Sequence, residues 1–238
     1  PGIAGYVDWN REKVTIVTQP LPIPTPPVAR GSKLGIHQTG SGPAMQHVRA
    51  AAARGARFAV VKTVDDLGLM LDVAREAPQT LRIALLTHPH EHADHPVNMD
   101  ERPSDATLRA MSAEMIEHIL ARSSPAERAA VHWWEVWNEP RPHTVAGYAR
   151  LADLMWATME EAERHGLRVA LFGFNAGTPE WDEIIAILRT GVMERMLIAG
   201  HIWTCHAGLL KLPNFPDQPD TLWGMLGRPI VNPATGAL

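Results

Sequence analysis

From residue 33 onward, short apolar runs alternate with longer stretches whose apolar residues recur at helical spacing. The apolar runs predict strands at residues 34–37, 58–62, 81–86, 132–138, 168–174 and 197–203. The longer stretches predict helices at residues 43–54, 66–76, 105–122 and 144–165, with Ser104 or Asp105 capping the third and Thr178-Pro179-Glu180 opening a fifth. Strict alternation of strands and helices predicts a parallel sheet covered by helices, an α/β fold.

This alternation fits a closed barrel as well as an open doubly wound sheet. Open doubly wound sheets commonly bind nucleotides through a Gly-x-Gly-x-x-Gly or Walker loop after a strand. No strand here is followed by such a loop, so the sequence gives no nucleotide-binding reason to prefer the open sheet. The chain has 238 residues, and a (β/α)8 domain typically has about 250. About six βα units precede residue 207, and the remainder has one strand-like run, 228–231. We therefore expect a TIM-barrel-type domain over residues 33–238 that is incomplete at its C-terminus.

The most informative segment is Trp-Trp-Glu-Val-Trp-Asn-Glu-Pro at residues 133–140. It predicts an apolar strand that ends at Pro140, because proline has no backbone N–H to donate to a neighbouring strand. Because strand side chains alternate between faces, Trp133, Glu135, Trp137 and Glu139 are expected on one side. An acidic residue among tryptophans at the carboxyl end of an inner strand is typical of a sugar-binding active site.

Trp137-Asn138-Glu139-Pro140 resembles the Asn-Glu-Pro signature of the retaining glycoside hydrolases of clan A, which are (β/α)8 barrels. The resemblance implies that Glu139 is the general acid/base and that Asn138 hydrogen-bonds a sugar 2-hydroxyl. The implied reaction is retaining hydrolysis of a β-glycosidic bond in a poly- or oligosaccharide, and it requires no cofactor.

Retaining hydrolysis also needs a second carboxylate as nucleophile, about 5–5.5 Å from the first. In the family resembled, that residue is a Glu at the end of strand seven. Here the run 228–231 is followed by Asn232-Pro233. Either the chain stops before the true seventh strand or the nucleophile has been lost, and the missing eighth strand favours the first. We expect open sheet edges to make the 238-residue piece poorly soluble or prone to oligomerise; the sequence does not indicate the number of subunits in the native protein.

Further candidates lie at the carboxyl ends of strands, where barrel active sites are built. The predicted sugar-binding residues are Trp137, Asn138, His37, His201, Trp203 and His206. The family resembled often places a His and an aromatic residue at the end of strand six. Asn175 follows strand five without an assigned role. Glu135 lies one layer deeper than Glu139, and a buried carboxylate must be paired. An ion pair with a barrel Lys or Arg is therefore favoured over a catalytic role, and Lys62 is a candidate partner.

A second motif follows strand three, His90-x-His92-x-Asp94-His95, and matches the metal-binding run of the metallo-β-lactamase superfamily. Imidazoles and a carboxylate at this spacing are good Zn²⁺ ligands. The context argues against that fold, because the preceding residues alternate strand with helix and Pro96 follows the run. A polar loop at the barrel rim is the preferred interpretation, and a loop that binds a divalent metal is the second. For the whole chain, a non-catalytic carbohydrate-binding barrel or pseudoenzyme and a metal-dependent hydrolase remain alternatives.

Charge and composition limit the kinds of partner that the sequence predicts. The formal net charge of -4 and the absence of a long basic run argue against nucleic acid as a partner. No apolar stretch reaches the roughly 18 residues that a membrane span needs. Residues 1–18 are expected to be disordered or the end of a small β module, and residues 19–32 a Pro-rich linker. Such a tether before a globular domain suggests an extracellular or wall-associated bacterial protein.

Overall fold

The computed structural model of the chain describes residues 34–88, 97–175 and 178–206. These residues form one curled sheet of six parallel strands, in the order β1-β2-β3-β4-β5-β6, that alternates with helices. Each strand pairs with the next along the chain, so the sheet has the connectivity of a half barrel. The predicted α/β class with a parallel sheet is confirmed, and the arrangement is compatible with an incomplete (β/α)8 barrel.

The strands are β1 (Gly35–Thr39), β2 (Val60–Val64), β3 (Leu81–Leu85), β4 (Trp133–Glu135), β5 (Val169–Asn175) and β6 (Ile202–His206). The helices are α1 (Ala44–Ala52), α2 (Leu67–Glu76), α3 (Asp105–Arg122), α4 (Pro125–Ala130), α5 (Val145–Arg164), α6 (Trp181–Arg189) and α7 (Val192–Ala199), and Met99–Glu101 forms a short 3-10 turn. The predicted helix 105–122 is confirmed at both ends, and Ser104 is its cap.

The register of the strands separates two faces of the sheet. His37 pairs with Lys62, and Leu85 pairs with Glu135, so these residues lie on the concave face. Their neighbours in sequence, such as Val61 and Trp134, are buried on the convex face under the helices. The concave face therefore carries His37, Lys62 and Glu135, and most of the hydrophobic core lies on the convex face.

Helix α5 is the centre of that core. It is amphipathic, and its buried stripe includes Leu151, Leu154, Met155 and Met159. The helix packs against α3 on one side and α6 on the other. Because α5 follows β4 directly, its position controls where the chain leaves the end of that strand.

Two predicted elements near the C-terminal part of the sheet are wrong. The apolar run 197–203 is not one strand, because α7 continues to Ala199 and Gly200, at φ 74°, ends it before β6 begins at Ile202. Thr178-Pro179 does not open the next helix either. Glu180 is the N-cap of α6 and shares a capping box with Glu183.

Two further differences concern β4. The predicted strand 132–138 is limited to Trp133–Glu135, because left-handed backbone at Trp137 interrupts it. Helix α4, just before it, was not predicted, although Ser124 followed by Pro125 is typical of the start of a helix. Ser124 forms a capping box with Glu127.

Several predictions lie outside the described residues. They concern the β module 1–18, the linker 19–32, the motif His90-x-His92-x-Asp94-His95 and the run 228–231. Within residues 34–88, 97–175 and 178–206, no helix combines the length and the apolar character that a membrane span needs.

Gly147, in the first turn of α5, is expected to resist substitution. A Cβ there would lie 2.0 Å from Asp100 Oδ1, and Asp100 is held in place because it accepts hydrogen bonds from His143 N, Thr144 N and Thr144 Oγ1. Gly147→Ala should lower the free energy of unfolding by about 1–3 kcal/mol despite the better helix propensity of alanine. Urea denaturation measures this. Gly68→Ala is the control, since its nearest contact would be 3.3 Å, and equal effects would contradict the argument.

Candidate active site

The end of β4 leads into a turn with unusual backbone geometry. Trp137 and Glu139 have φ of 58° and 48°, and on the adjacent β5 Phe172 and Gly173 have φ of 75° and 37°. The pairing of β5 with β6 shifts register between Leu171 and Phe174. Left-handed backbone at non-glycine residues costs free energy and concentrates at functional sites. The two irregular segments are joined by a hydrogen bond from Glu139 N to Gly173 O, 3.2 Å long.

The turn presents the Glu139 carboxylate at the carboxyl end of the sheet. Asn175 donates from Nδ2 to Glu139 Oε2 at 3.0 Å, and His206 Nδ1 lies 3.0 Å from Glu139 Oε1. The side chain of Glu139 keeps 34% of its surface exposed. Both oxygens are therefore oriented by protein groups, while the carboxyl group stays accessible to a ligand.

Beneath Glu139 lies a second, buried carboxylate. Glu135 has no exposed side-chain surface, and Lys62 Nζ lies 2.7 Å from each of its oxygens. The directed hydrogen bond from Lys62 reaches Oε1, whereas Oε2 has only the ion-pair contact. His206 Nε2 lies 2.6 Å from the same Oε1. The predicted pairing of Glu135 with Lys62 is confirmed, and His206 bridges the two glutamates.

These contacts shift the pKa values of the buried groups. Burial alone would raise the pKa of Glu135, but the hydrogen bond to His206 and the charge of Lys62 lower it below its usual value. The hydrogen bond to Glu135 raises the pKa of His206, with a further contribution from Glu139. Burial and the nearby Lys62 lower the pKa of His37. The cluster thus favours an ionised Glu135 and a protonated His206.

The predicted sugar-binding residues do not all reach this site. His37 and His206 lie on the concave face with Lys62 and Glu135. Asn138 is partly exposed in the turn beside Glu139.

His201 lies just before β6, at the opposite end of the strands. Its side chain accepts from Val169 N and lies 3.0 Å from Glu163 on α5. Barrel chemistry is built at the carboxyl ends of the strands, so the structure does not bring His201 to the site around Glu139. The aromatic partner predicted at strand six, Trp203, packs against Phe172 and Phe174 on the core side. Strand alternation turns it away from His206.

Trp137 is also in the core rather than in the site. It is 2% exposed, and its indole Nε1 donates to Thr158 Oγ1 on α5 at 2.9 Å. The expectation that Trp137 shares a face with Glu139 and stacks on a sugar is therefore not met, because the left-handed backbone of the turn ends the alternation of side chains. Trp137 instead anchors the turn to α5.

Thr158→Val is expected to weaken this anchor. Valine has nearly the same shape, but it leaves the buried indole N–H of Trp137 without an acceptor, which should cost about 1–3 kcal/mol of unfolding free energy. Urea denaturation measures the loss. The double variant Thr158→Val with Trp137→Phe removes both partners and should cost less than the sum of the two single changes. Additive losses would contradict a direct contact between these residues.

Asn175 and the bridging position of His206 were not assigned from the sequence. Asn175 could be located only at the end of a strand, and its contact with Glu139 depends on the register shift in β5. Among the residues that the structure describes, no group of three or more His, Cys, Asp or Glu side chains is arranged to hold a metal ion.

Comparisons of the chain with protein-family models, with curated proteins and with solved structures gave no match. The features that bear on function are therefore the geometry of the site and the local motif at residues 137–140.

Proposed function

We propose that the chain is a glycoside hydrolase-like barrel domain in which Glu139 is the general acid/base. The proposed reaction is retaining hydrolysis of a β-glycosidic bond in a poly- or oligosaccharide. The observation that carries this proposal is the placement of the Glu139 carboxylate. It lies at the carboxyl end of an inner strand, held by Asn175 and His206 and accessible from the concave side.

This placement suits a group that exchanges protons with a bound sugar. A general acid must be within hydrogen-bond reach of the leaving oxygen and must have a fixed orientation. Asn175 and His206 each hold one oxygen of Glu139, and a carboxylate oxygen has a second lone pair for a further partner. Asn138, adjacent in the turn, is the proposed partner of the sugar 2-hydroxyl.

Glu135 does not suit the role of nucleophile. Its side chain is fully buried, and its oxygens are occupied by Lys62 and His206. A nucleophile must reach the anomeric carbon about 5–5.5 Å from the acid/base. In the proposed mechanism that carboxylate therefore comes from outside the residues that the structure describes.

Amide chemical shifts of the labelled protein, recorded with a panel of β-linked oligosaccharides, test the proposal. We expect changes at Glu139, Asn175 and His206 with at least one sugar, and retention of anomeric configuration in any product. Glu117→Gln, on the exposed side of α3, is the control variant and should bind equally well. Binding without hydrolysis in a form of the protein that carries the second carboxylate would favour the non-catalytic carbohydrate-binding barrel. Zinc-dependent hydrolysis without sugar binding would overturn the proposal in favour of the metallohydrolase.

A further inference from the structure

The imidazole of His206 lies between two carboxylates. Its Nε2 is 2.6 Å from Glu135 Oε1, and its Nδ1 is 3.0 Å from Glu139 Oε1. A neutral imidazole carries one N–H and can donate to only one of them. Because Lys62 keeps Glu135 ionised, Nε2–H donates to that carboxylate, and the contact with Glu139 is then satisfied by an additional proton between Nδ1 and the Glu139 oxygen.

That proton has two possible positions. In one, His206 is an imidazolium that donates to both glutamates. In the other, Nε2–H donates to Glu135, and the carboxylic acid of Glu139 donates its O–H to Nδ1. The two forms contain the same number of protons and have the same total charge. They differ only by the transfer of one proton across the 3.0 Å contact.

The surrounding charges favour this arrangement. Lys62 lies 2.7 Å from Glu135 and keeps it ionised, so Glu135 fixes the N–H of Nε2 and does not compete for the second proton. Lys62 Nζ also lies 3.0 Å from His206 Nε2, and its positive charge opposes that of an imidazolium. His37 on β1 faces the cluster, and its lowered pKa favours the neutral imidazole; Asn175 on β5 is a neutral donor to Glu139.

We propose that His206 and Glu139 share one proton, and that His206 stores the proton which Glu139 delivers to the substrate. This inference rests on the proposed function of Glu139. In the first step the nucleophilic carboxylate bonds to the anomeric carbon as the glycosidic bond breaks, and the electron pair of that bond moves to the glycosidic oxygen, which takes the O–H proton of Glu139. In the second step water attacks the anomeric carbon, the bond to the nucleophile breaks and its electron pair returns to that carboxylate, while Glu139 takes a proton from the water and so restores the proton of the pair. His206 acts through Glu139 and is a positioning residue.

Nuclear magnetic resonance can test the shared proton without any substrate. The protein is labelled with ¹⁵N in histidine and with ¹³C in the glutamate carboxyl groups, and spectra are recorded from about pH 3 to pH 10, which spans the ordinary pKa values of both groups. We expect the Glu139 carboxyl carbon and the His206 ring nitrogens to change at the same two midpoints, because a coupled pair titrates as one unit. Separate titrations, each with a single midpoint that the other group does not sense, would overturn the proposal.

Two variants sharpen this test. His206→Gln retains an amide donor but cannot store a proton, and should reduce the titration of Glu139 to a single midpoint. His165→Gln is the control, since His165 also contacts a glutamate, Glu161, but on the surface of α5. It should leave the titration of Glu139 unchanged. An unchanged titration in His206→Gln would contradict the proposal.

The outcomes also separate this inference from the proposed function. Coupled titration in a protein that binds no sugar would support the shared proton and count only against the glycosidase assignment. Independent titration in a protein whose hydrolysis depends on Glu139 would overturn the shared proton alone.

Discussion

Lys62→Met is expected to lower the free energy of unfolding by about 3 kcal/mol, the lower end of the range for breaking a buried ion pair. The variant removes the cation that lies 2.7 Å from the fully buried Glu135. The loss stays at the lower end because 14% of the Lys62 side chain is exposed and because His206 still contacts Glu135. Urea denaturation followed by tryptophan fluorescence measures the change.

The loss should depend on pH, and the sign follows from the two shifted pKa values. The pKa of Glu135 is lowered in the folded protein, so its contribution to stability is present above its unfolded value and is lost as pH falls through the folded value. The pKa of His206 is raised, so its contribution is present at low pH and is lost as pH rises through the folded value. In Lys62→Met, Glu135 has no cationic partner once His206 has lost its proton. The loss is therefore expected to be larger above the His206 pKa than below it.

Two comparisons define the control for Lys62→Met. Arg49 pairs with Glu76 on the exposed surface, and Arg49→Met should cost much less because surface pairs are screened by solvent. The double variant Lys62→Met with Glu135→Leu removes the isolated charge as well and should recover most of the stability. A single variant as stable as the unaltered protein would show that Glu135 finds another partner or takes up a proton.

The second large effect is expected at the chemical step. In a form of the protein that hydrolyses a β-glycoside, Glu139→Gln should lower the rate on an unactivated substrate by about 10²–10⁴-fold, the typical contribution of a general acid/base. An aryl glycoside with a good leaving group needs no acid in the first step, so the covalent intermediate should form and accumulate. Added azide should restore turnover, because it attacks the intermediate without a general base.

Glu117→Gln is the matched control for this measurement, since it makes the same chemical change on the exposed side of α3. Its rate should equal that of the unaltered protein. An unchanged rate in Glu139→Gln, or equal losses on activated and unactivated substrates, would remove Glu139 from the proton-transfer role.

Most of the fold could be predicted from periodicity. Helix α3 matches its predicted range at both ends, because a long segment with a clear cap gives a strong local signal. The run 197–203 failed because Leu197 and Ile198 are apolar yet more than half exposed at the end of α7. A short apolar run cannot distinguish the end of a helix from a strand. Gly200, between the end of α7 and the start of β6, was the residue in the sequence that marked the boundary.

Less of the site could be predicted, because its contacts depend on backbone irregularities. The pairing of Glu135 with Lys62 followed from regular strands and from the cost of a buried charge. The role of Trp137 did not follow, because alternation ends at the left-handed turn. The bridge formed by His206 joins residues 71 positions apart. It depends on the curvature of the sheet, which no local pattern encodes.

The anchoring of Trp137 to Thr158 also bears on how a ligand would meet this protein. The turn that carries Glu139 is attached to α5 by a buried hydrogen bond, and α5 is packed between α3 and α6. The helical layer therefore fixes the turn before any ligand arrives. A sugar entering from the concave side would find the carboxylate already in place, so little of its binding free energy would be consumed in ordering the protein. Discrimination among sugars would then fall to the loops around the rim rather than to movement of the carboxylate.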